Sequence, residues 1–315
     1  MRKSISDIKF DFVGKAKIAI AIPCVIFVAA IIVLLIFGAD VAIEFRGGTM
    51  VTYSFVGDID LPAAEDLVNE QNLGASRVTE GTAFGTDLKT LTVAFSSNEN
   101  MSADVQSELT DALQAAFSQH DLKVANSQDV NPSTGSTFFL KCLVAILFSF
   151  ILLIIYIALR FKAVGGWSSG VFALVALLVD VFIVMSAFVF FRISIDANFI
   201  AVVLTILGYS INNTIVIYDR IRENRTLLGS KISYRDLVNI STVQSLTRSI
   251  NTTAAVVLSL LAICVVSFIY GVDSIMSFAF PMLLGMISGL YTSIFLVGPM
   301  WVLWREWKQK HTKAA

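Results

Sequence analysis

Histidine is almost missing from this chain, with only His120 and His311 in 315 residues. The three cysteines, Cys24, Cys142 and Cys264, each lie in an apolar run and show no metal-ligand spacing. No disulfide framework follows from them, and small packed hydrophobes is the plain reading of all three. No GxxxxGK[ST] phosphate loop is present, nor any His/Cys cluster. Charge is scarce as well: 15% of residues are charged, against roughly 25% in soluble domains. Nothing here supports catalysis, a metal or a cofactor, and any work done would have to draw on an ion gradient or a partner.

What is abundant is apolar sequence, at 56% of the chain with a mean hydropathy of +0.76. A helix needs about 20 mostly apolar residues to cross a bilayer core of about 30 Å. Segments at about 17–37, 138–159, 165–190, 199–218, 250–270 and 277–300 qualify, predicting six transmembrane helices. The first apolar stretch, Ile18 to Phe37, exceeds the roughly 7–15 residues of a secretory leader and lacks a small-x-small cleavage site. It reads as an uncleaved first span.

Six spans place both termini on one side, and basic residues identify that side. The N-terminal segment 1–16 and the start of the first span carry five, the second-to-third loop two, the fourth-to-fifth loop (about 219–247) with Arg248 at its end six, and the C-terminal segment 301–315 four. That is 17 of the 23 Lys and Arg. The termini are therefore expected in the cytoplasm, and residues 38–137 outside it. This outer segment has four basic residues against fifteen acidic ones, so it lacks a nucleic-acid-binding footprint.

Its pattern predicts strand, helix, strand, strand, helix, strand. Residues 41–55, VAIEFRGGTMVTYSF, read as a strand bent or bulged at Gly47-Gly48. Residues 61–72 begin near Pro62 as a helix, and SRVTE and LKTLTVAF alternate as strands. Val105, Leu109, Leu113 and Phe117 recur every four residues on one helical face, and LKVANSQDV returns as a strand. That order suits an α+β ferredoxin-like domain, with 131–136 as the linker back to the membrane.

Polar residues interrupt four spans. Asp180 lies well inside the third, where an ionisable group faces a protein interior or a water-filled path, or simply fixes packing. In the fourth, Asn212 and Asn213 adjoin Ser210, and Ser210, Asn213, Thr214 and Ile217 share one stripe. Interhelical hydrogen bonding accounts for them without further function. The purely apolar run of the fifth span, Ala254 to Tyr270, is only 17 residues. That span must recruit Asn251, Thr252 and Thr253, giving a stripe of Arg248, Asn251, Thr252, Ala255 and Ser259. Arg248 is also readable as a snorkelling interfacial arginine. In the sixth, Gly285, Gly289 and Ser293 form a small-residue face for close packing.

Several of these stretches resemble signatures of the SecF family, the smaller integral subunit of the SecDF complex of bacterial protein export. Phe10-Asp11-Phe12-Val13-Gly14-Lys15 is similar to the family's approach to span one, and Ile43-Glu44-Phe45-Arg46-Gly47-Gly48-Thr49 to its G-I-D-F-x-G-G-T signature. Leu207 to Thr214, with Tyr218-Asp219-Arg220-Ile221-Arg222-Glu223-Asn224, resembles the fourth-span signature, and Leu246 to Thr252 the R-T-x-x-T-S motif. The resemblance covers nearly the whole chain. It implies pairing with a SecD-like subunit in a twelve-span assembly of the resistance-nodulation-division type. It also implies association with the SecYEG channel in the bacterial inner membrane, contact with lipid and with unfolded polypeptide in transit, and use of the proton or sodium gradient. A potential of 100 mV supplies about 2.3 kcal/mol per charge moved.

The chain departs from the family pattern in three places. Asn213 stands where the family usually has aspartate, Val179-Asp180 where it has His-Asp, and Glu44 where it has aspartate. An amide cannot exchange a proton near neutral pH. The acid role then passes to the partner's equivalent span with Arg248 tuning it, or to Asp180, or the coupling ion differs. The candidate ion-path residues are thus Arg248, Asp180, Asn213, Asn212, Ser210, Asn251 and Thr252, with Asp219, Arg220, Arg222 and Glu223 in the signature beside the cytoplasmic loop. A half-size small-molecule transporter of the same superfamily and a non-coupled membrane scaffold are the alternatives.

Overall fold

A computed structural model describes residues 10–71, 75–82, 89–96, 102–162, 166–229 and 232–314. The basic residues Arg2, Lys3, Lys9 and Lys231 lie outside the described residues. The first apolar run forms α1 (Ala16–Phe37), which ends at Gly38, whose φ of +73° lets its N–H reach back to Leu34 O at 2.8 Å. Residues 41–55 do not make one bent strand. Ile43–Arg46 closes a single helical turn, α2, and the strand β1 starts after it, at Gly48–Phe55. Gly47 and Gly48 at φ +83° and +138° turn the chain between the two, in a conformation that residues with a Cβ rarely adopt. The bulge lies further on, between Thr52 and Tyr53 against the last strand.

The rest of the inserted domain follows the expected order: α3 (Leu61–Glu70), β2 (Ala75–Thr82), β3 (Lys89–Ser96), α4 (Ala103–Ala116) and β4 (Lys123–Val130). The sheet order is β2-β3-β1-β4 with every neighbouring pair antiparallel, as in a ferredoxin-like βαββαβ unit. Alternation sets its two faces. Val51, Tyr53, Phe55, Leu91, Val93 and Phe95 point together into a core closed by Ala64, Val68, Leu109 and Leu113, all buried. Each large side chain there contributes about 1.5–3 kcal/mol by leaving water.

Residues 131–136 are not a linker. Asn131 caps a helix by accepting Ser133 N–H at 3.0 Å, Pro132 fills the first turn, and α5 runs Pro132–Arg160. α6 (Trp167–Phe190), α7 (Ala197–Leu228), α8 (Tyr234–Ile269) and α9 (Asp273–Thr292) follow. A π-helical turn at Ser293–Val297 joins α9 to α10 (Gly298–Ala314). Six helices are long and apolar enough to cross a membrane, the last continuous through the π-turn, so the chain is a multi-pass membrane protein.

Two of these helices far outrun the bilayer. At 1.5 Å per residue, the 32 residues of α7 reach about 48 Å. Residues 219–228 therefore continue α7, and 234–247 already belong to α8, capped by Ser233 accepting Asp236 N–H at 3.1 Å. What reads as a charged loop is helix on both sides of a short turn. α6, α7 and α9 pack on one another, α8 closes against α7 and α9, and α1 and α5 lie outermost with most of their apolar residues exposed.

Candidate functional site

Asp180, on α6, is fully buried where α6, α7 and α9 meet. Three hydroxyls donate to its carboxylate: Ser210 of α7 at 2.6 Å, Ser288 of α9 at 2.5 Å, and Thr292 of α9 at 2.9 and 3.0 Å to the two oxygens. The network continues at Ser293, whose Oγ lies 3.0 Å from Thr214 Oγ1 and donates to Ser210 O at 3.2 Å. Helix approach makes this reach possible. A Cβ on Gly289 would sit 3.0 Å from Ser210 Cβ, and one on Gly285 2.0 Å from Ile206 Cδ1. The small-residue face thus brings α9 close enough to α7 for serine and threonine to span the gap.

The π-turn begins immediately after Thr292. Such turns interrupt the regular backbone ladder and recur at functional sites. The carboxylate can be accommodated as an anion accepting three donors, or as an acid that donates one bond while one hydroxyl rotates. Taking it out of water is costly in either description, and the three hydroxyls offset that cost.

The expected site residues separate into three groups. Asp180, Ser210 and Asn213 are buried, and Ser210 joins Asp180 directly. Asn213 Nδ2 and, on α8, Ser249 Oγ and Thr242 Oγ1 are buried without a hydrogen-bond partner among the described residues. Asn212 does not share that environment. One residue turns the helix by 100°, and Asn212 points outward, so the two amides do not line one path within this chain. Arg248, Asn251, Thr252, Ala255 and Ser259 are all exposed, on the face of α8 turned away from its own bundle. Arg248 has no anionic partner among the described residues, and Thr252 Oγ1 donates to Arg248 O at 2.9 Å.

The charged end of the fourth-span signature is engaged in ion pairs. Asp219 pairs with Arg160 of α5 and Arg222 of its own helix, each at 3.1 Å, and Arg220 pairs with Glu223 at 2.5 Å. Asn224 donates to Ser241 and Gln244 of α8 at 2.9 and 2.8 Å. Sequence reasoning missed Ser288 and Thr292. Their signal was available as an i, i+4 hydroxyl pair on the stripe beside Gly285, Gly289 and Ser293. Among the described residues no group of three His, Cys, Asp or Glu could hold a metal ion.

A βαββαβ domain inserted after the first of six spanning helices, with one buried carboxylate at the helix crossing, defines a polytopic membrane protein with an inserted α/β domain. Residues 109–307 match the family described as protein export membrane protein SecD/SecF, C-terminal. The chain is 31% identical over 301 residues to the protein translocase subunit SecF of Acidaminococcus fermentans, covering 95% of this chain and 98% of that one. It is 30% identical to the protein translocase subunit SecDF of Bacillus subtilis, covering 97% of this chain and 40% of that one. Among solved structures, that of SecDF, a translocon-associated membrane protein from Thermus thermophilus, superposes with a TM-score of 0.81 at 28% identity. It covers 96% of this chain and 40% of its own. The chain belongs to the SecD/SecF family of protein export membrane proteins and is a SecF-type translocase subunit.

Proposed function

We propose that the chain works as one half of a SecDF-type pair in the bacterial inner membrane. Both termini are cytoplasmic and the α/β domain is extracytoplasmic. Its partner is a SecD-like subunit, and the pair acts with the SecYEG channel on unfolded polypeptide in transit, driven by the proton or sodium gradient. The observation that carries this reading is the exposed stripe on α8, with Arg248, Asn251, Thr252 and Ser259 turned outward along a membrane-spanning helix. An arginine turned toward lipid is costly, by about 2.5–3.5 kcal/mol at the bilayer centre and less toward its edge. The hydroxyls of Thr252 and Ser259 are bonded only to carbonyls of their own helix, leaving no polar neighbour on the outer side among the described residues. A helix of the partner subunit facing the stripe removes that cost. Relatives in which one chain carries the name SecDF support a partner of this kind.

On this reading Arg248 sets the protonation of a carboxylate across the interface. A cation within about 4–6 Å changes the proton affinity of a carboxylate by about tenfold to a thousandfold. Asp180, Ser210 and Asn213 are the path residues contributed by this chain. Arg248→Ala is expected to abolish gradient-dependent export by vesicles containing the pair while co-purification with the partner is retained. Unchanged export would sink the coupling role, and lost co-purification would reassign Arg248 to packing.

A further inference from the structure

The α/β domain is joined to the membrane helices at two places of different character. The first is a close, apolar junction. Gly47 abuts the start of α5, where a Cβ would lie 2.4 Å from Pro132 Cα, and a Cβ on Gly135 would lie 3.0 Å from Gly47 N. Phe45 is buried there against Phe138 and Phe139, with ring centroids at 5.7 and 5.2 Å. Both chain connections, into β1 and out of β4, pass through this point.

The second junction is polar, partly exposed and made by one side chain of the domain. Arg77, on β2, pairs with Asp40 of the α1–α2 connector. It also donates to Ser194 Oγ and to Arg192 O in the turn between α6 and α7, both at 3.3 Å. Ser194 Oγ itself donates to Asp40, closing a triangle of three side chains from three separate segments. Main-chain bonds hold the connector on the same turn, Ala42 N–H to Ile195 O at 3.0 Å and Ile195 N–H to Asp40 O at 2.8 Å. Arg192, at φ +53°, keeps its carbonyl turned up toward Arg77. Clefts of about 430 and 390 Å³ flank Arg77.

We propose that Arg77, Asp40 and Ser194 form a releasable latch, and that the α/β domain pivots about the Gly47–Pro132 junction when it opens. The physical contrast between the junctions carries the inference. A glycine-spaced apolar contact is fixed by shape, whereas a water-flanked ion pair of small net strength opens and closes readily. The latch also sits on the turn that joins the two helices meeting at Asp180 and Ser210. A shift of α6 against α7 moves Arg192 and Ser194 relative to each other and strains the Arg77 fork. The latch is thereby a mechanical link between the buried carboxylate and the domain, independent of which ion is coupled.

The test is a distance distribution by double electron–electron resonance on the full chain in lipid vesicles. Spin labels are placed at Asp104→Cys on α4 and Ser274→Cys on α9, both exposed, after Cys24, Cys142 and Cys264 are replaced. The parent is expected to give one narrow distribution. Arg77→Ala should broaden it or add a second distance, and the exchange of Asp40→Arg with Arg77→Asp should restore the narrow one. A distribution unchanged in Arg77→Ala overturns the latch, as does broadening that the charge exchange fails to reverse.

Discussion

Gly285 offers the sharpest test of why α9 sits where it does. An added Cβ would meet Ile206 Cδ1 at 2.0 Å, and Ile206 Cγ1 and Val184 Cγ2 at 2.9 Å. Both neighbours are completely buried, so the isoleucine has no empty volume into which to rotate. Overpacking of this kind costs about 1–3 kcal/mol, and the helix preference of alanine over glycine returns about 1 kcal/mol. An approach of 2.0 Å places the overpacking in the upper part of its range, about 2–3 kcal/mol, so Gly285→Ala should destabilise by about 1–2 kcal/mol. Ile206→Val removes the clashing carbon and costs about 0.5–1.5 kcal/mol alone, mostly as a cavity. In the double variant the new methyl occupies that cavity, so its loss should stay near 1 kcal/mol or below. The coupling energy is then about 1 kcal/mol or more in the favourable direction, well above the roughly 0.5 kcal/mol within which independent sites add. Equilibrium unfolding of the purified chain in mixed micelles reads all four corners of the cycle. Additive single effects, or a Gly285→Ala protein more stable than the parent, would refute the claim that side-chain contact at this crossing sets the helix spacing. Because Ser288, Gly289 and Thr292 lie within two turns, a displaced α9 should also lengthen the hydroxyl bonds to Asp180.

Two further outcomes follow from the two ends of the molecule. Gly47→Ala combines a positive φ with an approach of 2.4 Å to backbone, so it should cost at least about 2 kcal/mol and speed limited proteolysis of the α/β domain about tenfold or more. Proteolysis at the parent rate would count against the fixed pivot. At the opposite end, Asp11 accepts Gly14 N–H at 2.8 Å and Asn239 Nδ2 at 2.9 Å, and these bonds hold its carboxyl below the usual carboxylate range. A lowered value means that the strap is stabilised above the ordinary carboxylate range and released as the pH falls through the folded, lower value. Hydrogen exchange at the amides of Phe12 and Val13, which donate to Asn239 Oδ1, should lose protection at acid pH, and Asp11→Asn should remove that pH dependence. Protection that stays equal from about pH 7 to a pH well below the ordinary carboxylate range would show that the ionised carboxylate does not hold the segment.

Much of this architecture was legible in the residue order because two periodicities dominate it. Long apolar runs fix six spanning helices whatever their partners, and period-two alternation from Val51 to Phe55 and Leu91 to Phe95 fixes which face of the sheet is buried. Hydropathy reports where lipid is, however, and not where a helix ends. Residues 219–228 and 234–247 stay helical beyond the apolar stretch because they pack on one another through Asn224, Ser241 and Gln244. The turn at Ile43–Arg46 was hidden for a related reason: its β-branched and aromatic residues serve a helical turn packed on α5. The site was half legible. Asp180 stands out in an apolar run, but its hydroxyl donors come from residues 30, 108 and 112 positions away, a separation that no local pattern records.

The paired amides of α7 gain meaning from that same separation. Asn213 stands where the resemblance read from the sequence leads one to expect aspartate, and it is three residues from Ser210, hence about 5–6 Å along the same face. Ser210 is already bonded to the carboxylate of Asp180. A second acid at 213 would add a carboxyl to the buried face of α7 that already serves Asp180, where neighbouring carboxylates resist joint ionisation and one of the two would be held protonated. An amide avoids that conflict while keeping the shape of the side chain. Asn213 and Asp180 are therefore better understood together than as one loss and one remnant. Within this chain the buried acid sits on α6, α7 contributes a hydroxyl to it, and Asn213 presents an uncharged amide on that same buried face of α7.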